Sequence, residues 1–157
     1  MPESRDKSSS VPEMIFEGKY ELKTAREKVW TFIIDPAKIS RCLPELKSLE
    51  VEGEDRFVAV VRVGVGLIRT DFKFRIEIVR KSPISRVQLK AVGAGSGSSV
   101  VIDTVIELKE TPEGTELFYT SDVKIGGMIA SLGQRVIKDA AEKTVAGIFE
   151  CIKQQLE

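Results

Sequence analysis

Histidine is absent from this chain of 157 residues. Its absence removes Ser-His and Cys-His nucleophile pairs and the commonest metal ligand together. Asparagine is absent too and glutamine is scarce, while charged residues make up 31% of the chain. That balance fits a protein from a hot environment. Cysteine occurs only at Cys42 and Cys151. Two lone thiols without histidine do not make a zinc site, so no metal is expected. Cys42, with no base visible beside it, reads as a small buried hydrophobe and is assigned no chemistry. An excess of either charge is also missing, since Lys+Arg and Asp+Glu both number 24. With no net field and no basic stripe interleaved with aromatics, nucleic acid is not expected as a partner. The uncharged run from Ala91 to Ile102 is too short and too rich in glycine and serine to cross a bilayer. The amino terminus lacks the apolar segment of a signal peptide. A cytoplasmic location is the expectation.

What is present is organised around the last thirty or so residues. From Ile129 onward, apolar or small side chains recur at Leu132, Val136, Ile137, Ala140, Ala141, Thr144, Val145, Ile148, Phe149, Ile152 and Leu156. This stripe predicts one long amphipathic helix of roughly 40 Å, entered through a turn at Gly126-Gly127. Both ends of the stripe are bulky, whereas Gly133, Ala140, Ala141 and Thr144 are small. Either a sheet approaches closely at the middle, or a space remains there for a ligand.

A length of 157 residues fits one domain. Residues 1–13 read as a polar, disordered tail, and 14–157 as a single domain. Period-two alternation predicts strands at Met14–Lys23 and Ile68–Val79, and strand-like runs set off by turn residues predict five more at Leu46–Gly53, Arg56–Val65, Arg86–Ala94, Ser99–Lys109 and Thr115–Ile125. Between the first two, Val29 to Ile34 and the segment from Asp35-Pro36 to about Leu43 read as short helices. Short turns between successive strands make an antiparallel meander, and only the terminal helix is long enough to cover its dry face. The expected fold class is therefore α+β, a curved antiparallel sheet of about seven strands gripping a long carboxy-terminal helix, with two short helices plugging one end.

No catalytic constellation emerges. Gly93 to Gly97 has the glycines of a phosphate loop, but it lacks the Lys-Ser/Thr pair and leads into a strand, so a flexible hairpin is the better reading. Alternation places Asp71, Glu77, Asp103, Glu107 and Glu116 on solvated faces, away from the dry setting that general acid or base work needs. Inward polar residues are few: Thr104, Tyr119 and Ser121, with Tyr20 uncertain. Each can orient a ligand or satisfy a core group. Trp30, Phe72 and Phe74 serve equally as core or as pocket wall, because such pockets are themselves mostly apolar. Val101, Val105 and Phe118 fall on the outer face, where scattered exposure is the simpler reading.

The stretch from Gly126-Gly127-Met128 through Gly133-Gln134-Arg135 to Ile137 resembles the G-subunit family of carbon monoxide dehydrogenase. So do Tyr119 to Val123, Val63 to Gly66, Cys42-Leu43-Pro44 with Leu49-Glu50, and Val29-Trp30 with Asp35-Pro36. Leu46 stands where that family often has a second cysteine. The resemblance implies membership of the START-like, SRPBCC helix-grip superfamily and a cavity between sheet and helix for an apolar molecule. It further implies an accessory role beside a molybdenum-containing carbon monoxide dehydrogenase, linking the enzyme to the membrane or its quinones. The hydrophobic carboxy-terminal extension of some members is not expected here, which leaves only a peripheral membrane contact open. The leading expectation is a non-enzymatic binder of a lipid-like or quinone-like molecule, with no cofactor. Its cavity would be lined by Val61, Val63, Phe72, Phe74, Leu89, Ile102, Thr104, Tyr119, Val136, Ile137, Ala140 and Ala141. Two alternatives stay open: an enzyme of the polyketide cyclase or dehydratase kind, and a protein-binding adaptor with a solid core.

Overall fold

The structure, a computed structural model, describes residues 13–157, so the expected amino-terminal tail lies outside the described residues apart from Glu13, which is already in a strand. Seven strands form one antiparallel sheet: β1 (Glu13–Leu22), β2 (Leu46–Val51), β3 (Arg56–Val65), β4 (Ile68–Ser82), β5 (Arg86–Gly95), β6 (Ser98–Thr111) and β7 (Gly114–Gly127). Their spatial order is β1-β7-β6-β5-β4-β3-β2. From β2 to β7 each strand pairs with its successor, as short turns require. The first strand returns to pair with the last, Phe16 opposite Ser121 and Leu22 opposite Thr115. The chain therefore crosses the whole sheet between β1 and β2, and it does so through α1 (Arg26–Ile33), α2 (Pro36–Ile39) and a 3-10 turn at Ser40–Cys42. Asp35 caps α2 by accepting a hydrogen bond from the Ala37 N–H at 2.9 Å, and Pro36 supplies the fixed φ of the first helical position.

Alternation decides which face of each strand is dry. Phe57, Ala59 and Val61 of β3 are buried, as are Phe72 of β4 and Leu117 and Ile125 of β7, while Asp71, Lys73 and Arg75 between them are exposed. The expected strand β4 ending at Val79 runs on to Ser82 because a register shift between Ile78 and Arg80 bends the strand without ending its pairing with β5. At Gly93, a side chain would collide with the ring of Phe74 on the neighbouring strand, so glycine lets that ring lie across β5.

The terminal helix, α3, spans Gln134–Leu156, 23 residues or about 35 Å. It does not begin at Ile129 as the stripe suggested. Residues Ile129–Leu132 form a separate 3-10 turn, and Gly133, at φ 91 and ψ 156, breaks the helical path between the two. That backbone region is open in practice only to glycine. The turn is fixed to the sheet by the Ile129 N–H, which donates to Ser98 Oγ at 3.0 Å. The far end of α3 is tied down as well: Thr24 Oγ1 donates to the Leu156 carbonyl at 3.0 Å, and Thr115 Oγ1 donates to the Thr24 carbonyl at 2.7 Å.

Two apolar clusters result, one at each end of α3. Phe149 and Ile152 pack with Val29, Trp30, Phe32 and Ile33 of α1 and with Leu22, Leu108 and Leu117 of the sheet. Ile137 packs with Val61, Val65, Phe72, Ile125 and Ile129 at the other end. The reading of Cys42 and Cys151 as lone thiols is corrected here, since they form a disulfide with Cα atoms 5.4 Å apart across 109 residues of sequence. Packing of the late turns of α3 on the 3-10 turn brings them together, a proximity that sequence spacing cannot express.

Candidate functional site

Between the two clusters the helix and the sheet do not meet. A cavity of about 650 Å³ remains, within the range usual for small-molecule sites. Its floor is the dry face of the sheet: Ala59, Val61 and Val63 of β3, Phe72, Phe74 and Ile76 of β4, Leu89 and Ala91 of β5, Ile102 and Thr104 of β6, and Ser121 and Val123 of β7. Its roof is the middle of α3, where Ile137, Ala140, Ala141, Thr144, Val145 and Ile148 face it. Ile33, Ile34, Pro36, Ile39 and Leu43 of the plug close the third side. The bulky ends of α3 hold it off the sheet and its small centre leaves the gap unfilled, which is why the hollow sits where it does.

Polar groups on the lining fall into two sets. Glu45, Asp55, Arg62 and Arg69 lie at the rim together with exposed Pro44, Gly64 and Thr144. The Glu45 and Asp55 side chains are 59% and 44% exposed, and both are in ion pairs, Glu45 with Arg69 at 3.9 Å and Asp55 with Lys81 at 2.9 Å. Arg62 pairs with Asp71 at 3.4 Å. Inside, Thr104 and Ser121 stand directly opposite each other on β6 and β7, their hydroxyls hydrogen-bonded at 2.8 Å. Among the described residues no cluster of His, Cys, Asp or Glu could hold a metal ion, and no helix is long and apolar enough to cross a membrane.

Ten of the twelve residues singled out from sequence come together on this lining: Val61, Val63, Phe72, Phe74, Leu89, Ile102, Thr104, Ile137, Ala140 and Ala141. Tyr119 and Val136 do not. Tyr119 points inward as alternation requires, but it lies where α3 packs flush, its ring 5.6 Å from Phe149, which stacks in turn on Tyr20 at 4.0 Å. Burial in this stack, then nearby Tyr20 and Glu142, push the Tyr119 phenol above its ordinary range. Val136 turns toward the β3–β4 hairpin, where it packs beside Gly66. Ser121, already read as inward though not among the twelve, lies on the lining, and Ala59 and Val123 share the parity of the residues named and could have been found by extending the alternation. The rim charges could not, because alternation assigns polar residues to the outside. The carboxylates of Asp71, Glu77, Asp103, Glu107 and Glu116 are all off the cavity lining, and Val101, Val105 and Phe118 are half-buried on the outer face.

A family model for the G subunit of carbon monoxide dehydrogenase (CoxG) matches residues 18–157. The chain belongs to the CoxG family. The match covers β1 from Gly18 onward, the plug, the rest of the sheet and α3, so every wall of the cavity lies within it except Phe16. Among solved structures, a conserved protein from Geobacillus kaustophilus is similar at 30% identity and a TM-score of 0.85, over 91% of this chain and 95% of that one. A START superfamily protein from Mycobacterium smegmatis shares the fold at a TM-score of 0.67 and 9% identity, over 90% of this CoxG-family chain and 96% of its own. The Zhui aromatase/cyclase from a Streptomyces species does so at 0.70 and 11%, over 92% and 94%. The architecture is thus the START-like helix-grip fold. The search of curated proteins gave no match.

Proposed function

We propose that this CoxG-family protein is a non-enzymatic carrier that encloses an apolar small molecule, lipid-like or quinone-like, between its sheet and α3. The single observation behind this reading is the cavity of about 650 Å³ left unfilled beside Ala140, Ala141 and Thr144. A preformed apolar hollow of this size gains free energy by exchanging water for an apolar body. The twelve residues named from sequence are offered as ligand-binding with two exceptions, Tyr119 and Val136, which lie off the lining. The carboxylates on the lining are exposed, ion-paired and at the rim. Acid–base chemistry of the cyclase kind calls for a group held dry beside the substrate, so this placement favours binding over turnover. The family name supports a role beside a carbon monoxide dehydrogenase, the molybdenum-containing kind that the resemblance implies. Mixing the purified protein with such an enzyme in analytical ultracentrifugation is expected to give a co-sedimenting complex, and independent sedimentation would remove that part of the proposal.

Ala140→Phe tests the cavity itself. The new ring projects into the hollow from the centre of α3, and the variant is expected to keep its fold by circular dichroism. Uptake of an apolar fluorescent probe is expected to fall at least tenfold, the change made by about 1.4 kcal/mol of lost binding. Uptake equal to that of the parent protein would show that probes bind elsewhere.

A further inference from the structure

The carrier reading leaves the chemistry of the cargo open, and the inner hydroxyl pair narrows it. Thr104 and Ser121 are the polar side chains on the lining that lie away from the rim. Thr104 faces Leu89 across one strand boundary and Ser121 faces Phe16 across another, so the pair is set in an apolar wall. The rim residues Gly64 and Arg69 belong to β3 and β4, whereas the pair sits on β6 and β7. Three strand spacings separate β3 from β6, about 14 Å across the sheet. The hydroxyls therefore mark the deep side of the hollow, not its mouth.

Their hydrogen-bonding capacity is not exhausted by each other. Two hydroxyls bring two O–H donors and four lone pairs, and the bond between them at 2.8 Å uses one donor and one lone pair. No other hydrogen bond among the described residues takes the second O–H. Valine and alanine would complete an apolar wall there without this exposed polarity. A wholly hydrocarbon cargo seated against the pair displaces water and leaves that donor unsatisfied, an unfavourable outcome. A cargo with an oxygen at the same place restores the bond. We infer that Thr104 and Ser121 select the cargo: an apolar body bearing one hydrogen-bond-accepting oxygen, a carbonyl or hydroxyl, inserted oxygen-first to the deep wall. This inference rests on the carrier reading above, and the two fail differently.

Three probes of similar shape separate them: naphthol, acetylnaphthalene and methylnaphthalene, measured by fluorescence titration against the parent protein and a Thr104→Val/Ser121→Ala variant. The two oxygenated probes are expected to lose about tenfold in affinity in the variant, as loss of one buried hydrogen bond implies, while methylnaphthalene binds as well or better. Equal changes for all three would overturn the selection role while leaving the carrier intact. Binding of none of them by the parent protein would overturn both. Should the double variant fail to fold, the carbonyl stretch of acetylnaphthalene bound to the parent protein serves instead. A shift to lower frequency than in hexane supports the hydrogen bond, and a hexane-like frequency refutes it.

Discussion

Asp122 shows how a single outward residue is set by its neighbours. It stands directly opposite Asp103 on β6 and next to the Glu13 position on β1, three acids on one patch of the convex face. Burial, then a hydrogen bond and like charge from Glu13, push its carboxyl above the ordinary aspartate range, against the pull of Lys124. A carboxyl whose folded-state pKa is raised favours folding when protonated, and that contribution is lost as pH rises through the raised value. At neutral pH the ionised group opposes folding. Asp122→Asn is expected to stabilise the protein at pH 7 by about 0.2–1 kcal/mol, the scale of cross-strand charge pairs. The gain should shrink as the pH falls through the raised value and vanish below the ordinary aspartate range, at about 3, where the parent carboxyl is protonated in both states. Urea titrations at the two pH values check this, and a gain that persists in acid would contradict it. At this scale the sequence was informative about direction and less so about depth. Alternation correctly turned Thr104 and Tyr119 inward, but it could not tell that one faces a hollow and the other a stacked ring, because both lie on dry strand faces.

The elements differ in how well they announced themselves. Strands β3 and β5 were legible almost to the residue, β5 because Val87 and Leu89 alternate with Gln88 and Lys90, and β3 because an unbroken apolar run from Phe57 to Val61 is bounded by Arg56 and Arg62. The start of α3 was not, because the 3-10 turn at Ile129–Leu132 keeps its apolar residues in phase with the helical stripe and only Gly133 interrupts the path. The link between α3 and the plug was invisible for a different reason. Cys42 and Cys151 are 109 residues apart, and only the docking of α3 brings them together. That bond fastens the segment just before the plug residue Leu43 and the rim residues Pro44 and Glu45 to the last turns of the helix. Reduction, or the Cys42→Ser/Cys151→Ser variant, is expected to lower stability by about 2–5 kcal/mol by releasing so long a loop in the unfolded chain. It should also speed exchange of an apolar probe through the mouth. Guanidinium titration with and without a dithiol, with thiols counted to confirm reduction, measures the first effect, and unchanged stability after full reduction would refute it.

At the scale of the molecule, the arrangement is two solid ends and a hollow middle. One cluster around Phe149 and Trp30 and another around Phe72 and Ile137 anchor α3 to the sheet, so stability resides at the ends and the centre is free to hold a guest. The overall plan, sheet around helix, follows from element order and the length of the last amphipathic segment. The hollow was suggested by the small residues of the stripe, yet its existence depended on how far the bulky ends hold the helix away, which is a property of packing. A hollow that carries an apolar oxygen-bearing guest should keep that guest through purification. Purified protein extracted with organic solvent and analysed by mass spectrometry tests this most directly, with the Ala140→Phe variant, prepared in parallel, as the control. A recurring apolar compound with a carbonyl or hydroxyl group, near one per protein chain, is expected in the parent protein and is expected to be lost from the variant. Extracts of the two proteins that hold the same compounds in the same amounts would contradict that expectation.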